Sequence, residues 1–426
     1  MKLNYRPMKA IVIIPMFLYA FFGFSQGREQ WRYLNTVTSS VPFLVISADA
    51  AQAGVGDIGV VGTQGGSGAS FNSNPALLVS KHRFIRINNS YSPWHRSIVP
   101  GKNLFSNSVA FGPTNRDAIG VQFKMFKYDM ALTDPFGNPI SSNKANEFCI
   151  QANYAHRWDN GLSYGMAFKY VHSDITNGRI VGGVQTHPGH ALAADIGLTH
   201  QKELLAKDRY NMELNSSFAL NNIGSKISYI KGNTDFIPMR MLIGANLKNT
   251  FDLDENQLSY TFSYQVSKYL IPSPPAYQID SNGMTVIDNN SNPVLASGYD
   301  PQISVPIALI QSFYDAPGKV SYDENFNPSV KKGSRASEEF HEYIHQVGSE
   351  LKLKRNENLA ISLRQGLFLK HDTKGARRFI SFGIGLEVHG LTVDVTTWRG
   401  IGRSTVLNNS LFFNLGYIYN FNKAKD

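Results

Sequence analysis

The chain has 426 residues, of which 17% are charged against roughly 25% in soluble globular chains, and it carries 36 Gly, 27 Phe and 20 Tyr. That composition excludes a helical membrane bundle, a coiled coil and a disordered chain, and the length suits either a few soluble domains or one large β-barrel. The single cysteine, Cys149, excludes a disulfide framework and multi-cysteine metal sites, while the formal charge of +9 is scattered, with no basic run interleaved with aromatics, so no nucleic acid is expected as a partner.

At the N-terminus, Lys2, Arg6 and Lys9 precede an apolar run from Ala10 to Phe24, with Ser25-Gln26 after it. This is the charge and length pattern of a signal peptide over residues 1–26, directing export and then removed. No later run reaches about 18 apolar residues, so any membrane crossing must use strands. Residues 27–81 are rich in Gly and Ala and too long for a leader, which suggests a plug or hatch folded into a barrel lumen.

From residue 82 to 426 the sequence alternates apolar and polar at period two over runs of ten or so residues, the length of a tilted strand crossing an outer membrane. Leu162, Tyr164, Met166, Phe168 and Tyr170 fall on one face and Ser163, Gly165, Ala167 and Lys169 on the other. In the last run Leu411, Phe413, Leu415, Tyr417, Tyr419 and Phe421 oppose Asn414, Gly416 and Asn420. A soluble sandwich also alternates, but its strands run to about five or six residues. Strands are expected near 84–91, 105–112, 118–130, 147–157, 162–173, 191–200, 210–221, 238–247, 257–268, 345–354, 358–370, 379–388, 391–398 and 409–421. Fourteen antiparallel strands make an even-numbered outer-membrane barrel. Connections such as 113–117, 158–161, 355–357 and 389–390 are short and belong to the periplasmic side; 92–104, 131–146, 174–190 and 222–237 are long and belong outside. The longest, at about 269–344, is rich in Pro, Asn, Ser and Gly, and Ser337 opens a short helix near its end.

Within strands, Asp195 shares a small-residue face with Ala191, Ala193 and Gly197, which suggests a lumen-facing hatch anchor or a substrate contact. Lys124, Lys127 and Lys169 are expected inside or at a rim, since a midplane lipid-facing lysine costs about 2 to 4 kcal/mol. His341-Glu342-Tyr343-Ile344-His345 is a literal H-E-x-x-H, which on a helix would present two imidazoles to zinc with Glu342 as base. Leu351 stands where an extended metalloprotease motif needs a third histidine, and His345 is expected to begin a strand, so no metal, cofactor or catalytic residue is assigned. The Gly65-Gly66-Ser67-Gly68 run reads as loop rather than phosphate cradle.

Several blocks resemble one family in order. Pro42 to Ser47 and Ala53 to Val60, followed by Asn74-Pro75-Ala76, are similar to the hatch of PorV proteins and of the wider FadL-type transporters. Asn221 to Tyr229, Phe236-Ile237-Pro238, Lys268 to Pro272, Ser312 to Gly318 and Lys374 to Phe379 resemble PorV blocks. The likeness covers essentially the whole mature chain, departing at Phe71-Asn72-Ser73-Asn74 and in the Asn/Ser-rich stretch from Gln278 to Ile303. It implies a FadL-like outer-membrane barrel of the type IX secretion system, a non-enzymatic carrier. Such a carrier binds the C-terminal signal domains of cargo leaving the translocon and delivers them to a cell-surface attachment complex, among outer-membrane lipid and lipopolysaccharide. Tyr229, Phe236, Tyr314, Asp315, Ala316, Pro317, Phe340 and Tyr343 are the partner-facing loop residues this reading suggests. The alternatives are a FadL-like channel for hydrophobic small molecules, which needs an apolar lumen path, and an enzyme built on the histidine pair.

Overall fold

The computed structural model describes residues 35–47, 49–63, 69–94, 101–133, 139–181, 183–290, 292–355, 358–402, 407–408 and 410–421. The expected signal peptide, the Gly65 to Gly68 run and the tail after Phe421 lie outside the described residues.

Fourteen strands form one closed antiparallel barrel. They are β1 (Arg83–Pro93), β2 (Asn103–Gly112), β3 (Asp117–Thr133), β4 (Pro139–Arg157), β5 (Leu162–Asp174), β6 (Gly189–Lys207) and β7 (Tyr210–Gly224), then β8 (Arg240–Leu253), β9 (Asn256–Tyr269), β10 (Ile344–Arg355), β11 (Leu359–Leu369), β12 (Arg378–Val388), β13 (Leu391–Gly400) and β14 (Ser410–Phe421). Each pairs with its neighbours in sequence order, and β1 closes on β14 from Arg83↔Phe421 to Tyr91↔Phe413. Every strand expected from periodicity is present. Closure matters physically, because an unpaired edge in hydrocarbon would leave a row of backbone N–H and C=O groups without partners. Among the described residues no helix is long and apolar enough to cross a membrane.

The alternation maps onto the two faces. Met166, Phe168, Tyr170, Leu411, Phe413, Leu415 and Tyr417 are exposed on the outside, while Ser163, Ala167, Lys169, Ser410 and Asn414 are buried inside. One connection differs from expectation. Residues 131–146, read as a long loop, are mostly ladder: the β3–β4 pairing runs from Asp117↔His156 out to Leu132↔Ser141. A Ser/Asn composition reads as loop, but ladder pairing is made by backbone N–H and C=O groups, which these residues carry like any others.

The long outer connection spans 270–343, within which lie two helices, α1 (Val305–Gln311) and α2 (Ser334–Phe340). Small hairpins pair Ala276 with Ser297, and Val320–Tyr322 with Pro328–Val330.

Before β1, the N-terminal segment threads the barrel. Asn35 donates to the Thr373 carbonyl in the outer 370–377 loop at 2.9 Å, and Ser40 to Phe236 at 3.0 Å. Val37, Val41, Phe43 and Ile46 join one apolar cluster with Trp94, Phe126, Phe379, Trp398 and Phe412 at the outer ends of the strands. Lower down, Val55, Ile58, Val60 and Val61 pack on Ala219 and Leu242. At the periplasmic end, Phe71 and Leu78 pack on Phe84, Ala110, Ala118 and Ala155.

Candidate functional site

The lumen is built first. Little of the N-terminal segment is regular structure, so its backbone groups need partners from the wall, and the inward side chains supply them. Gln265 on β9 accepts from the Gly59 and Val60 amides at 3.1 and 2.9 Å, and Gln346 on β10 donates to the Asp57 carbonyl at 2.8 Å. From β13, Thr396 donates to Ala50 O at 2.6 Å and Trp398 Nε1 to Ala53 O at 2.9 Å. Lys124 on β3 donates to the carbonyls of Leu44 and Ile46. Asn74, fully buried, caps the turn that begins at Pro75 by accepting from Ala76 N at 3.0 Å, and donates to Val60 O at 2.9 Å. It does so against a wall with no side chain: a Cβ on Gly197 would lie 1.9 Å from Asn74 Oδ1, and one on Gly165 would lie 2.4 Å from the Pro75 carbonyl carbon. The Asn74-Pro75-Ala76 turn is therefore packed closely against β5 and β6.

Asp195 faces inward as expected, yet it does not hold the segment. It accepts from the Asn222 amide at 2.7 Å and pairs with Lys169 at 2.6 Å, a wall-to-wall bond that neutralises both buried charges. Lys124 performs the anchoring instead. Lys127 is exposed and pairs in register with Asn103 at the outer rim, so no lysine of the three sits in the lipid midplane. The polar cavity left beside the segment, lined by Gln122, Lys124, Lys169, Asn222 and Arg240 among others, is about 30 Å³. It holds little more than a water molecule.

The outer loop is the second part. Its two ends are fastened by ion pairs that are almost fully buried. Lys268 at the end of β9 donates to Glu339 at 2.8 Å and to Glu342 at 2.5 Å, and Lys374 pairs with Glu342 at 3.0 Å and with Glu338 at 3.5 Å. Ser273 donates its hydroxyl to Glu342 at 2.6 Å and its amide to Asp315 at 3.0 Å. Burial raises the Glu342 carboxyl, but the two lysines outweigh it and its pKa falls below the usual carboxylate range. Asp315 goes the other way: burial, with the neighbouring charges of Glu342 and Glu339, pushes it up to about 6 against the Ser273 hydrogen bonds.

This arrangement disposes of the zinc motif as written. Helix α2 ends at Phe340, His345 lies in β10, and its Nδ1 is 2.7 Å from the Tyr264 hydroxyl on the outer face. His341 stacks on His371 with ring centroids 3.5 Å apart. Glu342 is buried between lysines, so the three side chains do not converge on one point.

The partner-facing residues divide into two sets. Tyr314 and Phe340 are exposed, at 54% and 65%, and Tyr343 is half-buried beside Phe340 with ring centroids 6.3 Å apart. Asp315, Ala316 and Pro317 are buried and cannot face a partner, a correction to the sequence reading: a turn composition does not reveal that the turn is pinned under its own loop. Tyr229 and Phe236 are half-buried and pack on the apolar cluster; Tyr229 also donates to Ser173 at 2.8 Å. Sequence reasoning missed Ile307, Ile310 and Phe313, which are 52%, 68% and 40% exposed. Ile307 and Ile310 lie at i and i+3 on α1 and Phe313 just past its end, a spacing that carried a signal, but α1 itself was not anticipated.

The family "Type IX secretion system protein PorV" matches residues 28–276, more than half of the chain. No curated protein matches the sequence. Among solved structures, the chain is similar to the Ralstonia pickettii toluene transporter TbuX, at 9% identity and TM-score 0.44, covering 89% of this chain and 100% of that one. It is also similar to a Pseudomonas aeruginosa FadL homologue, at 9% identity and TM-score 0.40, covering 91% and 100%. A third is the Pseudomonas putida toluene transporter TodX, at 10% identity and TM-score 0.41, covering 91% and 100%.

Proposed function

Because the chain belongs to the PorV family of type IX secretion system proteins, we propose that it is a non-enzymatic outer-membrane carrier that binds the C-terminal signal domains of secreted cargo. In this reading it receives cargo from the translocon and hands it to a surface attachment complex. The N-terminal segment serves as a hatch that keeps the lumen shut while the work is done outside.

The observation that carries the reading is the outer loop. Ile307, Ile310, Phe313, Tyr314 and Phe340 stand exposed on a loop that buried ion pairs hold to the strands. A rigid platform of aromatic and aliphatic anchors loses little conformational entropy on binding and so favours protein partners. The short hairpins at 276–297 and 320–330 add strand edges to which a β-rich domain can pair. A hydrophobic-molecule channel is less well supported, because the wall meets the N-terminal segment with Gln, Asn, Ser, Thr and Lys side chains.

The test is affinity recovery of the detergent-solubilised protein from its own envelope, with mass spectrometry of bound proteins, beside a Tyr314→Ser/Phe340→Ser double variant. Both residues are exposed, so the barrel assembles in either case. The expected result is recovery of a very large translocon subunit or of secreted proteins sharing a C-terminal domain, reduced at least about tenfold in the variant if each aromatic anchor contributes roughly 1 kcal/mol or more. Recovery of lipid or fatty acid alone, equal in both, refutes the carrier reading.

A further inference from the structure

The ion-pair cluster under the outer loop is unbalanced. Four carboxyl groups, Asp315, Glu338, Glu339 and Glu342, face two ammonium groups, Lys268 and Lys374. The other nearby cations are directed at rings: Lys370 lies over Tyr269 at 5.4 Å, and Arg377 over Phe368 at 5.1 Å. Asp315 is fully buried, and while its Oδ2 accepts from the Ser273 amide, its Oδ1 has no hydrogen-bond partner. A buried carboxylate oxygen without a donor is costly, and such a group in a stable fold calls for something to meet it.

Asp315, Glu339 and Glu342 each offer one carboxylate oxygen, and these three atoms lie within 4.8 Å of one another. Ligands at about 2.4 Å on opposite sides of a calcium ion are separated by about that distance. We propose that Asp315, Glu339 and Glu342, with the Ser273 hydroxyl beside them, form a calcium site that fastens the 270–343 loop to the barrel. The donor set is hard oxygen throughout, which selects calcium or magnesium over transition metals. Three protein carboxylates suit calcium, which takes several such ligands in variable coordination, better than magnesium, which demands a near-ideal octahedron and usually keeps several waters. Lys268 bonds one oxygen of each glutamate, the Ala316 amide the other oxygen of Glu339, and Lys374 and the Ser273 hydroxyl the other of Glu342; with about four lone-pair sites on each carboxylate, these donors still leave acceptor capacity for an ion beside Asp315 Oδ1. The ligands come from three places in the chain, the start of the loop, its centre and its end, so one ion ties all three together. The inference is independent of what the loop binds.

Two backbone amides report on the site, because Ser273 N donates to Asp315 and Ala316 N to Glu339 at 3.2 Å. The experiment is hydrogen exchange at these amides in the detergent-solubilised full mature chain, in EDTA and in about 10 mM calcium chloride. Asp315→Asn keeps the acceptor for Ser273 and turns a donor toward the glutamates, so it preserves the loop while removing a charge. Heat-modifiable gel mobility checks that its barrel is folded. With extracellular-type affinity of about 1 mM or tighter, calcium slows exchange of both amides about tenfold or more in the native protein. In Asp315→Asn it leaves them unchanged. Equal exchange in calcium and EDTA overturns the proposal. So does an equal calcium effect in the variant, which would assign the ion to lipopolysaccharide, and so does protection that tracks acidity alike with and without calcium, which would assign a proton to Asp315.

Discussion

Glycine 366 offers the sharpest perturbation of the lumen. It sits on β11 opposite Gly348 on β10, and the two leave a gap in the wall into which the N-terminal backbone presses. A Cβ on Gly366 would lie 2.0 Å from the Gly56 nitrogen and 2.2 Å from the Val55 carbonyl carbon. Ordinary contact needs at least 3.4 Å, and backbone cannot swing aside as a flexible side chain can, so Gly366→Ala forces the segment off the wall by more than 1 Å. That displacement breaks the bond from Gly56 N to Ser381 Oγ at 2.9 Å and those from Gln346 to Gly56 O and Asp57 O at 3.3 and 2.8 Å. Three bonds at about 1 kcal/mol each, with overpacking of about 1 to 2 kcal/mol, give a local cost of about 4 to 5 kcal/mol. The assay is hydrogen exchange over residues 52–60 in detergent, with heat-modifiable mobility as the check on the barrel. Exchange at the Asp57, Gly59 and Val60 amides should accelerate by a thousandfold or so, since each 1.4 kcal/mol is tenfold. Gly120→Ala is the control, because its Cβ meets the Leu78 methyls at 3.2 and 3.5 Å and the Val109 carbonyl oxygen at 3.4 Å, all far looser than the 2.0 Å at Gly366. Unchanged protection in Gly366→Ala would refute the argument that these glycines exist to let the segment approach.

Other perturbations test other contacts. Arg364 bridges Glu350 at 3.0 Å and Asp394 at 2.7 Å, all three buried, so Arg364→Met strands two carboxylates and should cost about 3 to 5 kcal/mol, read as a lower urea midpoint for loss of the folded gel band. Burial first, and His341 next, hold His371 down to about 4. Its folded value lies below the unfolded one, so its contribution is complete above about 6.5 and is lost as pH falls through about 4. Protection in the 370–377 loop, corrected for the intrinsic slowing of amide exchange in acid, should therefore fall on acidification over that window, and His371→Phe, which keeps a ring against His341, should weaken that dependence.

The strands were legible because one constraint dominates them. A wall with lipid outside and polar groups inside writes its faces into alternate residues, so Met166, Phe168 and Tyr170 could be sorted from Ala167 and Lys169 without a structure. The site was less legible, because its contacts join distant residues. Lys268 and Glu342 are 74 positions apart, and nothing local marks Glu342 as an ion-pair partner rather than the base of H-E-x-x-H. Asp195 shows the same limit: its face could be read, but whether it met Lys169 or the N-terminal segment depended on which side chain reached it. Asp315-Ala316-Pro317 looked like an exposed turn because turn chemistry describes backbone direction and not what lies on top.

The polar lumen also bears on which part of the molecule can move. Irregular backbone survives at membrane depth only where protein or water satisfies it. Here the carbonyls of Ala50, Ala53, Asp57 and Val60 and the amides of Gly56, Gly59 and Val60 are satisfied by inward side chains of four different strands and by Asn74. Withdrawing the segment as a unit would break these bonds together, with only water entering behind it to replace them. The outer loop, by contrast, keeps its buried ion pairs while Ile307, Ile310, Tyr314 and Phe340 already stand in reach of solvent. A transport cycle that depends on opening the lumen therefore faces a much larger barrier than one that works at the outer loop, and that difference favours exchange of protein partners at the surface over passage of small molecules through the barrel.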